Sequence, residues 1–519
     1  MPTNRHNELA DALERAIKAA PKGVLKSADM QRRDRELLTH AGYLKDIVKG
    51  WYFLVRSGTA AGESTAWYAS LWNFLETYLT ERFGDDYCLN AVASLELHVG
   101  TTTVPRQVVA MTGHGGKTLL TLPHETSVLV YQDERSLPAE VDLVDGLRVM
   151  PLAYAICRLP PPYFRSNPIN AELALRALPD VGALIRIVLD ARSPALAGRF
   201  AGAYAFLGDN VKVRAIESAA HSIGIAVKRE NPFDLNGPAL SSGPRVVSPH
   251  AGRIQAMFRS MRDPVLAIFN DISPTNTRSA EECLKGIDDV YVNDAYNSLS
   301  IEGYQVSQDL IRRIRDGNWN PEGDLQDKQA RDAMAAKGYF EAFKLVKNAI
   351  VSVKDGLDPA RVANNHYQDW YRALFSEAVK AGLLEAHRLA GHRNAPVYIR
   401  NSKHVPPRYT AISDSMDALF DCLQTEQAPT VKAVLGHFLF GFIHPYYDGN
   451  GRLARFLMNL FLAPAGYPWT IVRTDRRTAY LAALETASTC GEIEPFARFI
   501  REEMQVDWSK EPSGRKTAR

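Results

Sequence analysis

Apolar residues recur at helical spacing along most of this chain and alternate strand-fashion in only a few short runs. Leu9, Leu13 and Ile17 stand four apart and predict an amphipathic helix over residues 6–20. A second helix is predicted from Ser27, as N-cap, through Leu37 and Leu38 to Ala41, stopping at Gly42. Tyr43–Leu44 and Trp51–Val55 then read as two strands around Lys49-Gly50. Helices followed by a hairpin outline a winged helix over residues 1–57. Residues 62–235 read as a separate α/β body, with helices at Trp67–Phe83, Asn170–Leu178 and Ala195–Phe206 and strands at Gln107–Met111 and Ser127–Tyr131. Residues 236–250, with Gly237, Pro238, Ser241, Ser242, Gly243 and Pro244, predict a linker. Beyond it, 251–508 is mainly helical, and the polar, basic tail 509–519 is expected to be disordered.

One helix in that last part is sharply patterned. Leu453, Phe456, Leu457, Leu460 and Phe461 form an apolar stripe, while Arg452, Arg455 and Asn459 share another face. It is preceded by His444-Pro-Tyr-Tyr-Asp-Gly-Asn-Gly-Arg-Leu-Ala-Arg455, a loop that opens a helix. Gly449, Asn450 and Gly451 can fold so that backbone N–H groups converge, and free N–H groups at a helix start bind anions. Arg452 can fork onto a phosphate as a lysine cannot. Asp448 is a single hard oxygen ligand beside the turn, suited to a Mg²⁺ that takes its other ligands from water and phosphates. A neutral His444 can accept a proton from an attacking hydroxyl, help worth roughly 10²–10⁴ in rate. These are the parts of a phosphoryl or nucleotidyl transferase acting on an alcohol.

Composition narrows the setting. At 519 residues the chain is too long for one core. Its 46% hydrophobic content and formal charge of +2 fit a globular protein with no overall bias toward nucleic acid. Cys88, Cys157, Cys283, Cys422 and Cys490 are scattered, which argues against a disulfide framework or zinc site and for a cytoplasmic setting. No apolar run approaches a membrane span. Residues 1–56 are locally basic, eleven Lys/Arg against seven Asp/Glu. Arg32, Arg33 and Arg35 open the second helix, and Lys45 and Lys49 lie on the hairpin, so DNA phosphates are a candidate partner there. The plainer reading is a solvated charged face used for protein contacts. Thr112-Gly-His-Gly-Gly-Lys-Thr118 imitates a phosphate-binding loop, but Met111 stands where the first glycine is needed, and a polar hairpin turn is expected instead. His437, seven residues before His444, is expected to be a core histidine rather than a ligand.

The segment from His444 to Arg455 resembles the signature of the Fic family, with Tyr446 replacing the usual Phe. The resemblance extends over roughly 251–508, including Arg473–Tyr480 and Gly491–Phe499. It implies a bacterial-type protein adenylyltransferase moving AMP from Mg·ATP to a Ser, Thr or Tyr hydroxyl of a target or of itself. His444 would be the base and Asp448 the metal holder, with Gly449, Asn450, Gly451, Arg452 and Arg455 at the nucleotide. Other family members use other donors or remove AMP, so those readings stay open. The hairpin and Asn90–His98 resemble antitoxin regulators of the AbiE type, which implies an N-terminal regulatory module. Against the enzyme stands a rival: a DNA-binding regulator whose Fic half is a locked sensor. A homo-oligomer is compatible with either.

Ser298-Leu-Ser-Ile-Glu302-Gly303 is the second informative stretch. Gly303 suits a helix end, which leaves Glu302 in the last turn of a helix near 285–303, against the negative end of its dipole and better placed beside a cation. This stretch resembles the inhibitory motif of self-restrained Fic proteins, implying that Glu302 pairs with Arg455. Finally, Ala395–Lys403 alternates apolar and polar before Pro406-Pro407, and predicts a β-hairpin flap in which Val397, Tyr398 and Ile399 dock a target segment as an added strand.

Overall fold

The computed structural model describes residues 2–20, 22–55, 65–233, 248–274, 279–319 and 327–508, the side chains of 2–6 and 327–330 excepted. Most of the expected linker and the whole 509–519 tail lie outside the described residues. The chain divides into two compact units, Met1–Pro249 with Val397–Pro406, and His250–Pro396 with Pro407–Arg519.

The first unit begins α1 (Pro2–Ala19), β1 (Val24–Lys26), α2 (Arg32–His40), β2 (Leu44–Val48) and β3 (Trp51–Leu54). The strands form an antiparallel sheet in the order β1-β3-β2, with Gly50 at φ +86° turning the β2–β3 hairpin. Three details depart from expectation. Ala12, Ala16 and Ala20 are the fully buried positions on and after α1, whereas Ile17 is 54% exposed; small residues let this helix approach its neighbours closely, so the face is rotated from the Leu9/Leu13/Ile17 stripe. Ser27 starts a 3-10 turn rather than α2, because the Asp29 carboxylate accepts the Lys26 N–H there. The three-residue β1 was too short to show a period.

There follow α3 (Thr65–Phe83), β4 (Cys88–Leu89), α4 (Ala91–His98), β5 (Gln107–Thr112), β6 (Thr118–Leu122), β7 (Thr126–Gln132), β8 (Asp142–Val144) and β9 (Leu147–Val149). A mixed sheet runs β4-β5-β7-β6, with β5 parallel to β7 and β6 antiparallel to β7. The 113–117 loop is therefore no hairpin turn, since β5 and β6 do not pair; the Asp86 carboxylate holds it by accepting the Gly113 and His114 N–H groups. Trp67, Leu71, Phe74 and Leu75 of α3 pack with Phe53, Val108 and Val128 in one core. The unit continues with α5 (Leu152–Arg158), α6 (Tyr163–Ser166), α7 (Pro168–Ala177), α8 (Gly182–Asp190), α9 (Pro194–Phe206) and α10 (Asn210–Ser222).

Residues 397–406 complete this unit, and they contain no strand. The expected flap hairpin is replaced by an irregular segment with one antiparallel bridge, Thr103 to His404. Val405 N–H donates to Thr102 O and Val104 N–H to Lys403 O, so the segment's pairing partner is the 102–104 stretch rather than a second arm of its own.

The regular elements of the second unit among its described residues are all helices: α11 (Pro249–Phe269), α12 (Ala280–Ile301), α13 (Gln308–Arg315), α14 (Asp327–Lys354), α15 (Pro359–Lys380), α16 (Ile412–Thr425), α17 (Pro429–Ile443), α18 (Asn450–Leu462), α19 (Arg477–Cys490) and α20 (Glu494–Met504), with short 3-10 turns and irregular loops between. α17 and α18 form its centre. Every residue of α18 except Gly451 is buried, so the polar face read from the sequence is enclosed as well as the apolar one. Asn459 shows how that is sustained, its side chain exchanging two hydrogen bonds with the Thr470 backbone.

Candidate active site

The site is built where α17 ends and α18 begins. His444 caps α17 in the left-handed region (φ 53°, ψ 59°), a conformation costing a non-glycine residue roughly 1–2 kcal/mol. The strain is held by Arg393, a buried residue that the sequence pattern does not mark. Its guanidinium donates to the carbonyls of His444 (2.8 Å), Ala395 and Pro407, and its N–H donates to Pro445 O (2.9 Å). Burial lowers the His444 imidazole to about 4, so it is neutral at pH 7. Nδ1 lies 3.3 Å from Gly441 O, and a carbonyl only accepts, so Nδ1 carries the proton and Nε2 the lone pair.

Asn450 closes the loop. Its amide takes the Tyr446 N–H (3.0 Å) and donates to Tyr446 O (2.8 Å), so its side chain shapes the turn, leaving its backbone N–H for an anion. Tyr446 lies 3.7 Å from the Tyr371 ring in a stacked pair, anchoring the loop as the usual Phe would. Gly449 is at φ +81°, and a Cβ there would meet the Phe375 ring at 2.9 Å. A Cβ on Gly451 would overlap the Glu302 carboxylate. Each glycine therefore marks a close approach.

Arg452 is 0% exposed, its guanidinium carbon 4.9 Å from the Phe375 ring and 5.3 Å from the Tyr304 ring. Nη2 is 3.4 Å from Asp448 Oδ1, an ion pair outside hydrogen-bonding geometry, and among the described residues none of its three nitrogens meets a hydrogen-bond acceptor. Arg455 is the opposite case. Its Nε donates to Ser298 Oγ (2.9 Å), and its Nη2 to Ser298 O (3.1 Å) and Glu302 Oε1 (2.9 Å). Behind Ser298, the Tyr339 hydroxyl donates to Asp294 at 2.6 Å, and burial lifts that carboxyl to about 6. His437 is a neutral core histidine, lowered to about 3 by burial, with Nε2 2.8 Å from Tyr480 Oη.

Among the described residues no group of three or more His, Cys, Asp or Glu could hold a metal by itself. Asp448 fits an ion that brings its own water and phosphate ligands: its side chain is half exposed, Oδ1 accepts the Gly449 N–H (2.6 Å), and Oδ2 faces the Tyr304 hydroxyl at 3.4 Å.

The other sequence candidates lie apart. In the first unit, Arg32 pairs with Glu36 (2.7 Å) and Arg33 with Glu8 (3.0 Å), while Arg35 donates to Ser27 O. Lys45 and Lys49 carry no ion pair among the described residues. Tyr398 donates from its hydroxyl to Ala69 O at 3.4 Å.

Residues 362–462 match the model of the Fic/DOC family. This part of the chain is a Fic domain. The chain is 31% identical over 218 residues to the protein adenylyltransferase Fic of Aedes aegypti, covering 41% of this chain and 40% of that protein. It is 30% identical over 220 residues to the namesake of Nematostella vectensis, covering 42% and 47%. The chain thus spans less than half the length of these relatives. Both are animal proteins, which lends no support to the bacterial ascription. A solved structure of Fic-1 from C. elegans is 18% identical and covers 66% of this chain and 96% of that one, with a TM-score of 0.36. No helix of the described residues is long and apolar enough to cross a membrane.

Proposed function

We propose that this chain transfers AMP from Mg·ATP to a Ser, Thr or Tyr hydroxyl of a protein target or of itself, with Glu302 holding the activity down. The observation that carries the reading is Arg452, a fully buried guanidinium with no hydrogen-bond acceptor on any nitrogen among the described residues, beside a glycine turn that opens a helix. The Asp448 carboxylate, 3.4 Å from Nη2, offsets part of its charge but accepts no hydrogen bond from it, and buried donors left unmet are costly. A nucleotide phosphate meets that need, and the N–H groups of Asn450, Gly451 and Arg452 can take its remaining oxygens.

The chemistry follows from the residues present. His444 Nε2 accepts the target hydroxyl's proton while that oxygen attacks the α-phosphorus. The bond from the α-phosphorus to the bridging oxygen breaks, and pyrophosphate leaves against Arg452 and Arg455. Magnesium bound at Asp448 would neutralise phosphate charge. Glu302 occupies Arg455, and with Ser298 and Gly303 forms the restraint; its 2.9 Å pairing is what supports this role.

Labelled ATP with the Glu302→Gly variant tests the reading. Transfer well above wild type is expected, falling roughly 10²–10⁴-fold when His444→Ala is added. Absence of label beside salt-sensitive DNA binding would replace it by the rival regulator, and loss of AMP from a modified protein by the reverse reaction. We also infer a winged-helix-like module in residues 2–55, its helix–strand–helix–hairpin order supporting the reading, with Lys45 and Lys49, which make no ion pair among the described residues, as cations for phosphates. Target docking at Val397, Tyr398 and Ile399 belongs to the same proposal; the backbone pairing falls beyond them, at Lys403 and Val405.

A further inference from the structure

α12 does not simply stop at Glu302. Gly303 N–H donates to Ser300 O (3.0 Å) and Tyr304 N–H to Leu299 O (3.1 Å), with Gly303 at φ +89°. This is the paired bonding of a Schellman cap, which folds the chain back on the helix end. The cap therefore fixes Tyr304 relative to Glu302, and the two side chains are presented as one unit.

They meet different parts of the site. Glu302 takes Arg455. The Tyr304 ring lies 5.3 Å from the Arg452 guanidinium and 5.4 Å from that of Arg331, so two cations lie against one ring. Its hydroxyl is 3.4 Å from Asp448 Oδ2, the oxygen left over once Oδ1 has accepted the Gly449 N–H.

The geometry points to Tyr304 as a second restraining contact, one that covers Arg452 and stands at the metal-binding oxygen of Asp448 while Glu302 covers Arg455. The inference rests on the nucleotide-transfer reading above and adds to it a residue outside the Ser-to-Gly stretch. In this arrangement a single helix end engages both phosphate arginines and the metal carboxylate. Removing Glu302 alone leaves half of the restraint in place.

The two functions of Tyr304 separate by substitution. Tyr304→Phe keeps the ring and deletes the hydroxyl; Tyr304→Ala deletes both. Dissociation constants for ATP, with and without Mg²⁺, are measured by calorimetry in the Glu302→Gly background, with thermal midpoints confirming the fold. Tyr304→Phe is expected to tighten ATP binding only when Mg²⁺ is present. Tyr304→Ala is expected to tighten it in both conditions, by about three- to tenfold, the scale of a cation–π contact with a hydrogen bond. Constants within twofold of the Glu302→Gly parent, or weakened by both substitutions, would overturn the inference and make Tyr304 a wall of the site. If Glu302→Gly itself binds no ATP, the transfer reading falls, and the role of Tyr304 falls with it.

Discussion

At the scale of single residues, the site is set by which polar groups are answered and which are not. Arg455 is saturated, Arg452 is not, and both are charges placed where water cannot reach. Tyr446 gives the same contrast in neutral form. Its ring is stacked, but its hydroxyl is buried with no hydrogen-bond partner among the described residues, a loss of roughly 1–3 kcal/mol wherever it occurs. Tyr446→Phe is therefore expected to raise the thermal midpoint by about 2–4 °C, the shift that 1 kcal/mol gives a domain of this size. A lowered midpoint in a melting curve would show that the hydroxyl is bonded. The sequence marked His444, Asp448 and the glycines, since their types and spacing carry the chemistry locally. It could not mark Arg393 or Phe375, whose roles exist only because distant segments converge on the loop.

Among elements, the loop is only as well placed as the helices behind it. Gly338 of α14 lies so close to α15 that a Cβ would overlap the Leu374 carbonyl. The next residue is Phe375, which walls Arg452 and limits Gly449. Gly338→Ala must push the two helices apart, and overpacking of that kind costs typically about 1–3 kcal/mol. The expected outcome is a lower midpoint together with weaker ATP binding in the Glu302→Gly background. A destabilised variant with unchanged affinity would show that α15 can shift without moving Phe375. α18 makes the complementary point: its apolar stripe was legible, but its burial on the polar side was not, because hydrophobic periodicity reports one enclosed face at most.

For the whole molecule, acid should be the weak point of the helical unit. Burial holds His250 and His444 near 4 and His437 near 3, below the ordinary value of 6.5. The unfolded chain takes up protons that the fold refuses as pH falls from about 6.5 toward 4, so this contribution is present above 6.5 and lost on acidification. Asp294, raised to about 6, runs the other way, its contribution full below 3.8 and lost as pH rises through 6. Three groups outweigh one, and urea midpoints are expected to fall between pH 7 and pH 4.5. His437→Gln should flatten that fall, and an unchanged slope would remove His437 from the account. Division into units was also only partly legible. A composition shift suggested the boundary near 236–250, yet residues 397–406 join the first unit through backbone pairing that no local pattern announces.

The sequence by itself determined the turn and helix start of the His444–Arg455 loop, the helical character of the C-terminal half and the helix end at Gly303, because each depends on residues close together in the chain. Only the tertiary structure decided that Ser298 and Glu302 bond to Arg455 while Arg452 meets no hydrogen-bond acceptor among the described residues, and that Tyr304 reaches Asp448. Those outcomes depend on helices separated by more than a hundred residues packing to within hydrogen-bond distance, where burial fixes which charges are paired.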